Sequence, residues 1–366
     1  MHTFVVLVST TIATLLVAAH QAGDPVITAK CATFPRARQQ PNTPRAMELG
    51  MNQTWYAEMP CTNMTEGTKT TADDLEDFIQ AEWGARKSGF YAPGDVSFVT
   101  DPFGNRSSSS SDDSAVMRVY YQKGSYTPSG SDDDVTGGCQ FYMSPFEGQA
   151  FKKGLVRYDV AFSDNFDWVK GGKLPGVFGG AHGTRGCTGG DMANGDNCFS
   201  VRLMWRENGE GEAYAYLPPS NHDLCHTEGI MCNDEFGTSL GRGYLQFERQ
   251  KWSTIEIFVQ MDDLDKPNGI LRVWQDGRPV IYIEGLSFRT IRSFAVSDVL
   301  FSTFYGGGSS DYAATSDTFA YFRNVQFSVG EPETLVPPPS MASLSTTSPI
   351  LLIVLCFISC IWSLYS

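Results

Sequence analysis

Five residues in the middle of this chain could do proton chemistry on an anion: Lys173, Ser200, Arg202, Tyr214 and Tyr216. Lys173 sits in GGKLPGVFGG, residues 171–180, one lysine among five glycines and a proline. In FSVRLMWR, residues 199–206, strand alternation puts Phe199, Val201, Leu203 and Trp205 on one face. Ser200, Arg202, Met204 and Arg206 then share the other. In EAYAYL, residues 212–217, the same rule groups Glu212, Tyr214 and Tyr216. With Asn208-Gly209-Glu210 at a hairpin tip, Arg206 falls near Glu212, Met204 near Tyr214 and Arg202 near Tyr216. The result is one polar patch of two phenols, a guanidinium and a hydroxyl. Its cations can neutralise an anion, and a phenol of ordinary pKa near about 10 can accept a proton only where cations lower it. An ordinary exposed sheet face would also pair Tyr with Arg. The preceding glycine-rich stretch, read as a loop, weighs against that, because glycine lets backbone approach a ligand closely and would bring Lys173 over the patch.

Other patterns carry less. Gly237-Thr-Ser239-Leu-Gly241 matches the G-x-S-x-G of a nucleophile elbow, but no helix pattern follows to make the strand-to-helix turn. His222-Asp-Leu-Cys225-His226 lacks the glutamate of H-E-x-x-H and any helical periodicity, so a disulfide loop is expected there and no metal site.

The elements that must position the patch read as β. Short apolar-alternating runs, AVMRVYYQ (115–122), LVRYDVAF (155–162), TIEIFVQM (254–261), ILRVWQDGRPVIYIE (270–284), VLFSTFYG (299–306) and FAYFRNVQFS (319–328), alternate with Gly, Asn and Asp clusters. They predict an all-β jelly roll, an antiparallel sandwich with a concave cleft. Asp276-Gly277 marks a two-residue hairpin turn. Helical periodicity is confined to residues 72–85, with Thr71 as the cap.

The ends and the charge set the address. Residues 1–19 carry no charged side chain and an apolar run ending Val17-Ala18-Ala19, which reads as a secretory signal. Ile350 to Leu364 is apolar but shorter than the roughly 20 residues that cross a bilayer, and no Lys or Arg follows Arg323. Small residues at Ser340, Ala342 and Ser343, a spacer and this tail match a glycolipid-anchor signal. The expected plan is a signal at 1–19, a loop-rich segment with one short helix at 20–110, the core at 111–330, a Pro/Ser/Thr linker at 331–349 and the anchor signal at 350–366. An extracellular, cell-surface monomer follows. The net charge of -14 makes nucleic acid an unsuitable partner. Proximity pairs Cys187 with Cys198, Cys225 with Cys232 and Cys31 with Cys61, leaving Cys139 over. Asn52, Asn63 and Asn105 head glycosylation sequons.

Taken together, GGKLPG, Gly186-Cys-Thr-Gly-Gly190, Cys198-Phe-Ser200-Val-Arg202 and Tyr214-Ala-Tyr216 resemble polysaccharide lyase family 14, with the glucuronan lyases of family 20 as relatives. The resemblance spans residues 115–329. It implies a cleft lined by Lys173, Ser200, Arg202, Tyr214 and Tyr216, with Asn194 where the family carries a histidine, and a polyuronate of alginate or glucuronan type as substrate. Cleavage by β-elimination follows: Lys173 and Arg202, with Ser200, Asn194 and Arg206 as further binding residues, neutralise the carboxylate. Tyr216 takes the C5 proton, Tyr214 serves the leaving oxygen, and no cofactor is required. A non-catalytic lectin on the same fold is the alternative. A two-carboxylate glycosidase ranks below both, since the patch offers only Glu212 as an acid.

Overall fold

The computed structural model describes residues 42–60, 71–104, 115–130 and 134–336. The expected signal, the Cys31–Cys61 pair, Asn63, Asn105 and the anchor region lie outside them. Asn52 is exposed.

Two helices and fifteen strands lie among the described residues. Helix α1 spans Pro44–Glu48 and α2 spans Ala72–Trp83. Thr71 caps α2 as its sequence predicts, in a reciprocal box with Asp74; Gly84, in the left-handed conformation, ends the helix at Trp83, two residues before the expected end. The strands are β1 (Gln53–Tyr56), β2 (Val96–Thr100), β3 (Ala115–Tyr121), β4 (Cys139–Met143), β5 (Phe151–Phe162), β6 (Gly172–Gly180), β7 (Cys198–Trp205), β8 (Glu210–Tyr216), β9 (Ile230–Met231), β10 (Thr238–Gln246), β11 (Ser253–Gln260), β12 (Gly269–Gln275), β13 (Arg278–Leu286), β14 (Val296–Tyr305) and β15 (Thr318–Pro332).

The named ladders are all antiparallel, and they form two layers. One runs β13-β12-β11-β5-β15, with β1 and β3-β2 continuing from β15; the other runs β4-β14-β6-β7-β8-β10-β9. The layers share a single ladder pair, Val296 with Phe151. Between them lies one apolar core, in which Val156, Tyr158 and Ile257 of the first layer meet Val177, Val201, Leu203 and Phe301 of the second. This is the expected all-β sandwich. The segment before residue 111 holds more than one helix: β1 pairs with β15, β2 with β3, and Ile79 and Trp83 of α2 enter the core.

The stretch GGKLPGVFGG is a strand. Nearly all of it is β6, buried between β14 and β7. The glycines serve close packing instead of loop freedom. A Cβ on Gly172 would stand 2.1 Å from the Trp205 ring, and one on Gly176 would stand 2.0 Å from the Val201 carbonyl oxygen. Pro175 has no N–H to offer a ladder, and both neighbouring ladders of β6 break their register around it. Such a bulge turns the strand locally and re-aims the adjoining side chain, here Lys173.

Candidate active site

The β7–β8 hairpin brings the predicted patch together, but in a register two residues from the expected one. Arg202 faces Tyr214, Ser200 faces Tyr216 and Met204 faces Glu212. The turn centres on Asn208, in the left-handed conformation at φ 58°, which asparagine tolerates better than most residues. Arg206 N–H then closes onto the Glu210 carbonyl at 2.6 Å. Because the slip is even, every side chain keeps its face and only the partners change.

The patch is also not exposed. Arg202 and Ser200 are fully buried, Tyr216 is 1% exposed, and only Tyr214 (8%) and Lys173 (9%) keep an edge to solvent. Two connections cover it. In the β6–β7 connection, residues 181–197, the Gly190 N–H donates to Tyr216 Oη at 3.2 Å, and Ser200 Oγ donates to the Cys187 carbonyl at 2.5 Å. In the segment before β10, the Gly237 N–H donates to Tyr214 Oη at 3.1 Å. The first cover is stapled to β7 by the Cys187–Cys198 disulfide; Cys225–Cys232 also forms, and Cys139 is free and buried. Each phenol oxygen accepts a backbone N–H, so each phenol proton is left for another acceptor.

Charge is concentrated where water is excluded. Lys173 Nζ lies 3.8 Å from the Tyr214 ring centroid and 2.7 Å from Met204 Sδ. Burial, reinforced by Arg202 and Arg206, pushes the Lys173 ammonium well below the ordinary lysine value. Burial raises the Tyr214 phenol to about 12, against the smaller opposing pull of Arg202 and the Gly237 N–H. Arg202 donates through Nη1 to Ser302 Oγ at 3.1 Å, while its Nε and Nη2 have no partner. Guanidinium does not deprotonate in proteins, so this is a buried cation with two unused donors.

Two predicted binding residues are otherwise engaged. The Asn194 side chain is exposed, and its oxygen accepts the N–H groups of Asp196 and Asn197, holding its own loop. Arg206 pairs with buried Glu212, which also receives Arg242 Nε and Ser239 Oγ, each at 2.7 Å. Burial opposes ionisation of Glu212, but Arg206 and these partners hold it below the usual carboxylate value. Ser239 of the dismissed G-x-S-x-G pattern is therefore a strand residue in an ion-pair cluster. Gln140, Tyr142, Ser302 and Gly237 were not predicted, and Met204 and Gly190, which the sequence does place near the patch, were given no role. A readable signal existed for two: CQFYM of β4 alternates Cys139, Phe141 and Met143 in the core with Gln140 and Tyr142 on the site face.

A sandwich whose second layer carries a buried lysine, arginine and tyrosine pair on its outer face defines a class with charged side chains around a covered polar centre. The family model for polysaccharide lyase 14 matches residues 109–325, and the chain belongs to that family. Among solved structures, the PL-14 alginate lyase from Aplysia kurodai is 30% identical, with a TM-score of 0.60 over 72% of this chain and 97% of that one. The alginate lyase vAL-1 from Chlorella virus shares the fold at 20% identity, with a TM-score of 0.50 over 72% of this chain and 99% of that one. One curated relative, Exolysin of Paramecium bursaria Chlorella virus 1, is 25% identical over 203 residues, 49% of this chain but only 30% of that protein.

Proposed function

We propose that this protein cleaves a 4-linked polyuronate of alginate type by β-elimination, at a site made by Lys173, Arg202 and Tyr214. The observation that carries this reading is the pair at the edge of the buried patch: Lys173 and Tyr214 alone among the five residues reach solvent, and they lie within 3.8 Å of one another. The lysine's lowered pKa favours the neutral amine, which can accept a proton; the tyrosine's raised value keeps it protonated, which suits a donor. The assignment differs from the one expected from sequence, where Tyr216 was the base. Tyr216 stands across from Ser200 in the ladder and is 1% exposed, so although Arg202 lies near both phenols, Tyr214 is the one with an open edge.

The steps balance as follows. The Arg202 guanidinium, buried in the same patch with two donors unused, supplies the positive field that stabilises the negative charge developing on the uronate as C5 loses its proton. The Lys173 amine takes that proton. The electron pair forms the C4–C5 double bond as the C4–O bond breaks, and Tyr214 gives its proton to the departing oxygen. The Lys173 ammonium, beside the Tyr214 ring, can then return a proton to the phenolate. Arg202 supplies the charge neutralisation within the chain, so the scheme calls on no cofactor.

Two disulfides suit an oxidising compartment. With the apolar first residues and tail, they support secretion and a lipid-anchored place at the cell surface. The test of function is incubation with alginate and glucuronan while following ultraviolet-absorbing unsaturated ends. A lyase makes them, whereas a hydrolase yields only reducing ends and a lectin yields neither.

A further inference from the structure

Beside the covered patch lies a cavity of about 460 Å³ that the steps above do not use, lined in part by Tyr91, Gln140, Tyr142, Arg185 and Asp191. Its volume falls within the range of small-molecule sites. Arg185 is exposed and makes no hydrogen bond or ion pair among the described residues. Its stem crosses Gly89, where a Cβ would stand 2.9 Å from Arg185 Cδ. Tyr91, on the wall of the same cavity, is held to β4 by backbone bonds to Gln140 and remains 38% exposed. An aromatic ring and a free guanidinium lining one cavity suit a sugar ring that bears an anionic group.

The cavity is wired to the chemistry. Arg202 Nη1 donates to Ser302 Oγ at 3.1 Å, and Ser302 Oγ donates to Gln140 Oε1 at 3.0 Å. Two hydrogen bonds thus separate the buried guanidinium from the cavity wall, and the Gln140 amide nitrogen is left for a ligand. Asp191 also lines the cavity. Its carboxylate repels an anion placed directly against it and accepts hydrogen bonds from hydroxyls, so it favours a ring with its carboxylate toward Arg185 and its hydroxyls toward Asp191.

We propose that this cavity is a second uronate subsite, in which Arg185 binds the carboxylate of the sugar next to the one held at Lys173 and Tyr214. The proposal rests on the polyuronate reading and deepens it. It casts Arg185 as a residue of substrate binding and not of bond cleavage.

The experiment compares wild type, Arg185→Met and Arg185→Lys by steady-state cleavage of alginate, and by calorimetric binding of a uronate tetrasaccharide and a neutral β-linked glucose tetrasaccharide. Arg185 is exposed, so neither change should disturb the fold. Loss of one charge-assisted contact should raise KM and weaken tetrasaccharide binding by about ten- to a hundredfold in Arg185→Met. Turnover should stay within about twofold, Arg185→Lys should recover part of the binding, and the neutral sugar should be indifferent to both changes. Equal uronate affinity in wild type and Arg185→Met overturns the subsite, as does any fall confined to turnover. Weaker uronate binding by Arg185→Met in a protein that cleaves no polyuronate keeps the subsite and overturns only the lyase reading. Failure of wild type to bind any uronate overturns both.

Discussion

The two tyrosines offer a controlled comparison, because Phe at either position removes the same things except the chemistry. Tyr214 and Tyr216 are both buried, and each oxygen accepts one glycine N–H, from Gly237 at 3.1 Å and Gly190 at 3.2 Å. Either change to Phe strands one such N–H, which costs about 1–3 kcal/mol where the group stays dry. For a chain of this size that lowers the melting temperature by roughly 2–4 °C per kcal/mol. The stability losses should therefore be alike. Turnover should not be. Tyr214 is the phenol across from Arg202 and beside Lys173, and loss of its proton should slow cleavage by roughly 10² to 10⁴. Tyr216→Phe should stay within about tenfold of wild type. Single-turnover cleavage followed by the absorbance of the unsaturated end, normalised to folded protein, separates the two effects. A loss confined to Tyr216→Phe would refute the assignment built on the observed register. Near-normal turnover in both would refute tyrosine chemistry altogether.

Lys173→Met should lose roughly 10² to 10⁴ in turnover while its melting temperature at neutral pH rises, because the change removes an ammonium that burial disfavours; a fall in melting temperature with activity per folded molecule intact would mark a structural lysine. The same group sets a pH dependence. Its folded pKa lies below its unfolded one, so between the two values the unfolded chain binds the extra proton and wild-type stability climbs with pH until the ordinary lysine value near about 10.4. Denaturant titrations across that window should show the slope in wild type and a flatter one in Lys173→Met. Opening Cys187–Cys198 by changing both to Ser, across a sequence separation of 11, should cost about 3 kcal/mol on the loop-entropy estimate and, by loosening the cover over Tyr216, lower activity further than the unfolding accounts for. Urea midpoints together with activity measured well below the midpoint check both halves.

Much of the fold was legible because the strands alternate cleanly. All eight apolar runs, FSVRLMWR and EAYAYL among them, became strands, the last-numbered hairpin turned at Asp276-Gly277 with both residues at positive φ, and α2 began and ended where its caps required. What escaped was strand structure without an alternating signature. The β6 segment reads as a loop because glycine and proline usually break strands. In the folded protein those glycines are small because Trp205 and the Val201 carbonyl occupy the space their side chains would take. That is a tertiary demand, invisible to a local pattern.

The site divides along the same line. Face membership was readable, because a period of two survives any even error in register, and so Ser200, Arg202, Tyr214 and Tyr216 do gather on one side of the layer; Lys173 joins them from β6, which the sequence reads as a loop. Partnership was not, because it depends on whether the turn centres on Asn208 or Gly209, and both residues take the left-handed conformation, so residue type does not choose between them. Burial was not readable either, since the covers come from the irregular segments that flank the hairpin, residues 181–197 and the approach to β10, whose course no alternation pattern fixes. That matters chemically. On an exposed face, Lys173 would stay a solvated cation suited to neutralising a carboxylate. Under the cover, desolvation favours the amine, leaves Arg202 as the cation with unused donors, and keeps the phenol of Tyr214 protonated. The distribution of roles among the five residues thus follows from what is packed over them more than from what they are.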